Sequence, residues 1–267
     1  MTSSSLSAAA NVGATLPSGA TMPLLGFGTW QLKGGEALQA TEWALRAGYR
    51  LIDTATAYGN EGEVGAALDS AGGARDSLFV TTKLPPDRGE AALDTLRSSL
   101  GLLGVDAVDL WLIHWPAGER ADVALWRSFG QARDQGLAID IGVSNYSLEQ
   151  LDELNDATGV LPAVNQIEWS PLLFDPAVLA GHRDRGVLLE GYSALRGGTL
   201  EHPDIGEIAD RHGRTPAQVI VRWHLQHEIV VIPKSRERAR IASNADIDGF
   251  ELTGDEMAAI DGLGSSG

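Results

Sequence analysis

The sequence predicts an α/β fold, a (β/α)8 TIM barrel entered through an N-terminal β-hairpin. Three observations carry that expectation. Eight short apolar runs alternate with longer segments of helical spacing along the 267 residues, as repeated βαβ units around a parallel sheet do. Roughly 250 residues is the usual size of eight such units. The first apolar run ends in GFGTWQ, which lacks the third glycine of the G-x-G-x-x-G fingerprint that opens a doubly wound sheet.

The elements follow in order. Residues 1–13 are small and polar and are expected to form a disordered lead-in; residues 14–267 are expected to form one domain. TLPSGATMPLLGF reads as a hairpin turning at Ser18 and Gly19. Strands are then expected in LLGFGT, YRLIDT, LFVTTKL, AVDLWLIHW, IDIGVSN, AVNQIEW, VLLEGYS and EIVVIPK, runs apolar enough to be buried on both faces. Helical spacing occupies residues 36–47, 61–71, 89–103, 119–135, 147–157, 175–185 and 215–227. RERARIASN after the eighth run is compatible with a helix, and a final helix is expected to end near Leu263.

Composition narrows the function classes. A formal net charge of −16 disfavours a nucleic-acid binder, which needs a basic face. The absence of cysteine excludes disulfides and thiolate chemistry. No stretch approaches the ~18 apolar residues of a membrane span, and no apolar leader precedes Lys33, the first basic residue. A cytoplasmic protein is expected, as a monomer, with higher assembly left open.

The candidate chemistry sits at strand ends. Asp53 closes the second run, Tyr58 follows it by five residues, Lys83 lies near the end of the third run, and His114 follows the fourth. In a barrel the carboxyl ends of the strands meet at one face, so the spacing predicts one pocket for all four. A phenol is a poor acid at neutral pH, with an ordinary pKa of about 10. An ammonium beside it is expected to lower that value, with an acid holding the ammonium in place. Taken singly, each residue has a structural explanation: a buried ion pair, a packing tyrosine, a core histidine. Their concurrence at strand ends favours proton transfer.

The blocks DTATAYGNEGEVGAAL, TTKL, LWLIHWP, GVSNY, VNQIEWSP and IPKS, in that order, resemble the signature blocks of the aldo-keto reductases over nearly the whole chain. The resemblance implies a metal-independent TIM barrel that reduces aldehydes and ketones with NADPH in preference to NADH. It implies Tyr58 as proton donor, with Asp53, Lys83 and His114 completing the catalytic set. For the cofactor it implies Thr29, Trp30 and Asp53, then Ser144, Asn145 and Gln166 at the nicotinamide carboxamide. Tyr192 would stack on the ring, and Ser193, Leu195 and Arg196 would lie over the pyrophosphate. Trp30, Tyr58, His114 and Trp115 would line the substrate pocket, which Trp169 could also reach. The remaining tryptophans, Trp43, Trp111, Trp126 and Trp223, read as packing residues.

The segment 234–240 stands out in an acidic chain, with Lys234, Arg236, Arg238 and Arg240 against Glu237 alone. Phosphate sites in barrels often follow the last strands. Lys234, Ser235 and Arg240 resemble the family's residues at an adenosine 2′-phosphate, with Arg236 in reach and Asn244 at the adenine. Arg238 reads as a solvated face. Two residues depart from pattern: Ser243 stands where many relatives carry glutamate, and Asp140 places a charge at the start of an apolar run. Two other classes match parts of the sequence. One is a cofactor-sensing partner subunit of the same fold with little turnover. Another is a two-carboxylate barrel hydrolase using Glu168 or Glu190 beside Asp53. His224 and His227, three residues apart without a carboxylate motif, read as structural rather than as metal ligands.

Overall fold

The computed structural model describes residues 12–70 and 75–265. The hairpin comprises β1 (Gly13–Thr15) and β2 (Thr21–Pro23), paired antiparallel. It reverses at Gly19, whose φ of 88° suits a residue without a Cβ. Strand β1 begins at Gly13, so this residue belongs to the hairpin and not to a disordered lead-in; residues 1–11 of that lead-in lie outside the described residues.

Eight parallel strands follow: β3 (Gly26–Gly28), β4 (Leu51–Asp53), β5 (Phe79–Leu84), β6 (Val108–Ile113), β7 (Ala138–Ser144), β8 (Val164–Glu168), β9 (Leu188–Tyr192) and β10 (Val230–Val231). Each pairs with its sequence neighbour. Leu25 bridges Val231 in parallel, and the Val231 amide donates to the Leu24 carbonyl at 2.8 Å, which brings the last strand back to the first. The seam is tight: a Cβ on Gly28 would stand 2.8 Å from the Ile232 carbonyl oxygen. The result is a (β/α)8 barrel with an N-terminal hairpin, as the periodicity predicts.

The helices α1 (Gly34–Ala47), α2 (Glu61–Ser70), α3 (Ala92–Leu103), α4 (Val123–Asp134), α5 (Leu148–Thr158) and α6 (Pro176–Asp184) alternate with the strands. After β9 come two helices, α7 (Pro203–His212) and α8 (Pro216–Gln226); α9 (Arg238–Ala245) and α10 (Gly254–Asp261) close the chain. The apolar spacing assigned residues 119–135 to one helix, yet α4 starts only at Val123. Asp122 accepts a hydrogen bond from the Leu125 amide there and caps the first turn. The expected helix 89–103 opens with a 3-10 stretch through Ala91 and becomes α-helical at Ala92. Helix α7 is an element the spacing did not reveal. Its signals are short: Pro203 at the first turn, Ile205, Ile208 and Ala209 buried, and Gly213 in the left-handed region as C-cap.

Strand alternation divides the core. Odd positions of β6 face the outer layer, where Trp111 stacks on Phe129 of α4 with ring centroids 3.7 Å apart. Trp126 and Trp223 are buried in the same helix–sheet layer. Trp169 belongs there too: it is buried and packs edge-on against Phe174 at 5.9 Å, so it does not line the substrate pocket. A Cβ on Gly191 would stand 3.1 Å from the Trp169 Cβ and 3.4 Å from His224 of α8, which places Trp169 on the outer face of β9.

Asp140 has a structural task. As the third residue of β7 it is buried, and its carboxylate accepts from the Ser18 hydroxyl and from the Ser18 amide at 3.3 Å. The hairpin tip is thereby pinned across the amino-terminal end of the barrel, opposite the strand ends that carry the chemistry.

Candidate active site

The site starts from two adjacent strands. Asp53 ends β4 and pairs in register with Thr81 of β5, which places Lys83 one interior position further along. The Lys83 ammonium donates to both Asp53 oxygens, at 2.5 and 2.7 Å, and to the Thr54 carbonyl at 2.9 Å. Both residues are buried. The other side of the Asp53 carboxylate accepts from the Gln166 amide of β8 at 2.9 Å. Its carbonyl accepts from the Thr29 amide and hydroxyl, each at 3.0 Å.

Tyr58 stands at the end of a 3-10 turn, Thr56–Tyr58. Its hydroxyl lies 3.5 Å from Lys83 Nζ, and the ammonium stands 5.1 Å from the ring centroid. The His114 ring, just beyond β6, meets the Tyr58 ring edge-on with centroids 5.6 Å apart. All four residues therefore share one recess.

The turn that carries Tyr58 is held by residues the sequence reading overlooked. Asn60 donates to the carbonyls of Thr29 and Leu32 at 2.9 and 3.0 Å and accepts from Thr54 at 2.9 Å. Buried Glu61 accepts from Thr82 at 2.6 Å and from Ser99 at 3.0 Å, and Ser99 in turn meets the Thr56 hydroxyl at 3.1 Å. Lys33 donates to the Tyr58 carbonyl at 2.5 Å. A buried polar pair opening a helix, as Asn60 and Glu61 do, is the signal that could have exposed this brace.

Electrostatics sort the proton carriers. Burial opposes the Lys83 ammonium, but Asp53 and then Tyr58 outweigh it and raise its pKa. Burial and the neighbouring Lys83 lower His114 to about 3, so its imidazole is neutral across physiological pH. The Tyr58 pKa is raised, contrary to the expectation of a lowered phenol. Burial is the largest influence, and Lys83 acts in the expected direction without overcoming it. The phenol therefore holds its proton at neutral pH, the state a proton donor requires.

The expected cofactor residues gather along the same end of the barrel. Ser144 donates to the Gln166 carbonyl at 2.8 Å; Asn145 reaches Ser144 at 2.9 Å and the His114 carbonyl at 3.2 Å. Tyr192 donates to Asn145 Oδ1 at 2.8 Å. Asn145 and Ser193 adopt φ of 64° and 59°, left-handed values in non-glycine residues at the loop mouths after β7 and β9. Leu195 packs against the core, and the Arg196 guanidinium lies 5.1 Å over the Trp30 ring. Trp30 and Trp115, just beyond β3 and β6, are 43% and 47% exposed.

The basic segment is held differently. Arg236 pairs with Glu36 at 3.3 Å and donates to the Gln31 carbonyl at 3.1 Å. Arg240 pairs with Glu237 at 3.2 Å, and Ser235 accepts from the Glu237 amide at 3.1 Å. Burial and then repulsion by Arg236 and Arg196 lower the Lys234 pKa. Cations that destabilise one another suit an anionic phosphate, so the residues present fit a phosphate-bearing dinucleotide. Asn244 is buried on α9, with Ser243 half-buried beside it. Glu168 is exposed, whereas Glu190 is fully buried inside the barrel and out of a substrate's reach.

The aldo/keto reductase family pattern matches residues 24–265. The chain belongs to the aldo/keto reductase family. It is thereby an oxidoreductase of the class that acts on carbonyl compounds. An aldo-keto reductase of Mycolicibacterium vanbaalenii is 48% identical over 247 residues, 91% of this chain and 88% of the relative. One from Mycolicibacterium smegmatis is 45% identical over 98% of this chain and 94% of its own length. Among solved structures, an aldo/keto reductase from Brucella melitensis superposes with a TM-score of 0.91 at 41% identity, covering 94% of this chain and 99% of that one. A mutant of Gox0644 in complex with NADPH gives a TM-score of 0.89 at 38% identity, over 94% of this chain and 93% of that one. In this reductase, among the described residues, no helix is long and apolar enough to cross a membrane, and no three His, Asp or Glu side chains gather as metal ligands would.

Proposed function

We propose that this aldo/keto reductase reduces aldehydes and ketones to alcohols with NADPH, Tyr58 serving as the proton donor. The observation that carries the reading is the 3.5 Å approach of the Tyr58 hydroxyl to an ammonium that Asp53 clamps with two hydrogen bonds. When bound, the nicotinamide supplies a hydride to the carbonyl carbon. The protein does the rest. His114, neutral, orients the carbonyl oxygen at the Tyr58 hydroxyl. Tyr58 gives its proton to that oxygen as negative charge develops there, and Lys83 stabilises the phenolate left behind. Solvent then restores the proton. Trp30 and Trp115 cover the apolar body of the substrate. Ser144, Asn145 and Gln166 offer amide and hydroxyl partners to the nicotinamide carboxamide. Lys234 and Arg236, with Arg196 beside them, favour a cofactor carrying the extra phosphate.

The test follows NADPH absorbance against a panel of aldehydes and ketones, with NADH in parallel and Tyr58→Phe as control. The reading requires carbonyl-dependent NADPH oxidation that this variant loses. Tight NADPH binding without turnover on any carbonyl would instead favour the sensor subunit.

A further inference from the structure

We propose that Glu190 is an electrostatic positioning residue of this site: buried inside the barrel beside the Gln166 that holds Asp53, it governs how firmly Tyr58 keeps its proton. The proposal rests on the reductase reading above.

The geometry comes first. Glu190 lies on β9, in register with Gln166 of β8 on one side and Val230 of β10 on the other. Gln166 turns into the barrel to reach Asp53, so alternation turns Glu190 inward as well. It is fully buried, and neither carboxyl oxygen has a hydrogen-bond partner among the described residues. The charges that act on it are those of Asp53 on β4 and Lys83 on β5, and its own charge acts on Tyr58 on the turn after β4. Gln166 on β8 and Val230 on β10 flank it. Thr81, inward on β5, also has a buried hydroxyl without a partner. His224 of α8 approaches Gly191 on the outer face of the strand, away from this interior.

A buried carboxylate that no donor stabilises with a hydrogen bond is so costly that the group takes a proton instead. Burial and the Asp53 charge push Glu190 up to about 8; the Gln166 amide, which donates to Asp53 and approaches Glu190 without hydrogen-bond geometry, and the Lys83 charge act in the opposite direction. Asp53 and Lys83 cancel one another, so a Tyr58 phenolate adds one uncompensated negative charge to the barrel. An ionised Glu190 adds a second, and it raises the pKa of both Tyr58 and Lys83. Reduction needs the Tyr58 phenol; the reverse oxidation of an alcohol needs the phenolate to take a proton. Ionised Glu190 therefore extends reduction to higher pH and delays oxidation.

The experiment compares the wild type with Glu190→Gln, which keeps the shape of the un-ionised acid. The pH profiles of NADPH-dependent reduction and of NADP+-dependent alcohol oxidation are measured in both. In the variant, the alkaline fall of reduction and the alkaline rise of oxidation should both move to lower pH by about one unit, the order a nearby unit charge imposes through a protein interior. A merely structural defect would scale the profiles without moving them, and superimposable profiles overturn the proposal. Infrared difference spectra of the two proteins, taken from about pH 6 to about pH 10, supply a readout that needs no turnover. The wild type should show the carbonyl band of one un-ionised carboxylic acid at the acid end that fades toward the alkaline end. A carboxylate at every pH overturns the proposal even if the enzyme is a reductase. A band that titrates in a protein without carbonyl turnover overturns the reductase reading instead.

Discussion

The Asp53–Lys83 pair and the 234–240 segment both lie toward the carboxyl ends of barrel strands, yet they hold their charges in opposite ways. Lys83 is buried, with its ammonium fixed by three hydrogen bonds to Asp53 and Thr54. Arg236 and Arg240 stand in solvent, paired one-on-one with Glu36 and Glu237. The first arrangement is complete without a ligand; a buried charge left unpaired would cost several kcal/mol. The second is a holding position, since exposed pairs contribute about 1 kcal/mol or less and yield readily to a better anion. On the proposed function, the groups meant for the reacting atoms are organised in advance, and those meant for the dinucleotide are kept exchangeable.

The largest break in that contrast comes from Tyr58→Phe. Removing the one hydroxyl at the ammonium should lower kcat by about 10²–10⁴-fold, the range for a positioned general acid. NADPH affinity, measured by titration calorimetry, should stay within about two-fold. An equal loss in both quantities would merge the two regions into one binding surface.

Acid should strain the buried region first. His114 drops from 6.5 to about 3 on folding, so the native state binds fewer protons than the unfolded state between those values. Stability is therefore lost as pH falls below about 6.5, by up to about 1.4 kcal/mol per pH unit for this group. His114→Asn should flatten that slope in urea unfolding at about pH 7 and about pH 5. His224, lowered to about 4 by burial, acts in the same sense in both proteins and leaves a residual slope. An identical slope in the variant would remove His114 from the buried cluster.

Lys234→Ala addresses the other region. It should weaken NADPH by about ten-fold, as expected of one charge-assisted contact, and leave NADH within about two-fold. Equal losses for both cofactors would place Lys234 on the shared pyrophosphate. The smallest effect is the most diagnostic of the holding pairs: Glu36→Gln frees Arg236 and should tighten NADPH by about two-fold. Weaker binding would mean that Glu36 orients Arg236 rather than competes for it.

Much of this was legible in the sequence, and the exceptions share a cause. Asp53, Lys83 and His114 could be placed because each follows from the end of an apolar run, and Tyr58 because it lies in the loop after one. Helix α7 escaped because its apolar positions are few and its neighbour α8 carries the stronger pattern. Trp169 is not legible as an outer-layer residue because proximity to Gln166 in sequence says nothing about which side of the sheet a loop residue takes; its packing beside Gly191 and Phe174 shows it. Asp140 and Glu190 each interrupt an apolar run, and their parity along the strand put both inside the barrel. What they meet there, Ser18 in one case and the Asp53–Lys83 pair in the other, lies more than a hundred residues away in sequence.

The residues by themselves determined the barrel, its hairpin, the strand ends and the basic segment, because these rest on periodicity and on chemistry adjacent in the chain. Only the closed sheet decided the protonation of the site. Whether a phenol rises or falls depends on water excluded and charges brought near by strands remote in sequence, and burial exceeded the pull of the ammonium at Tyr58. The same closure left Glu190 without a hydrogen-bond partner among the described residues, a property no local pattern encodes.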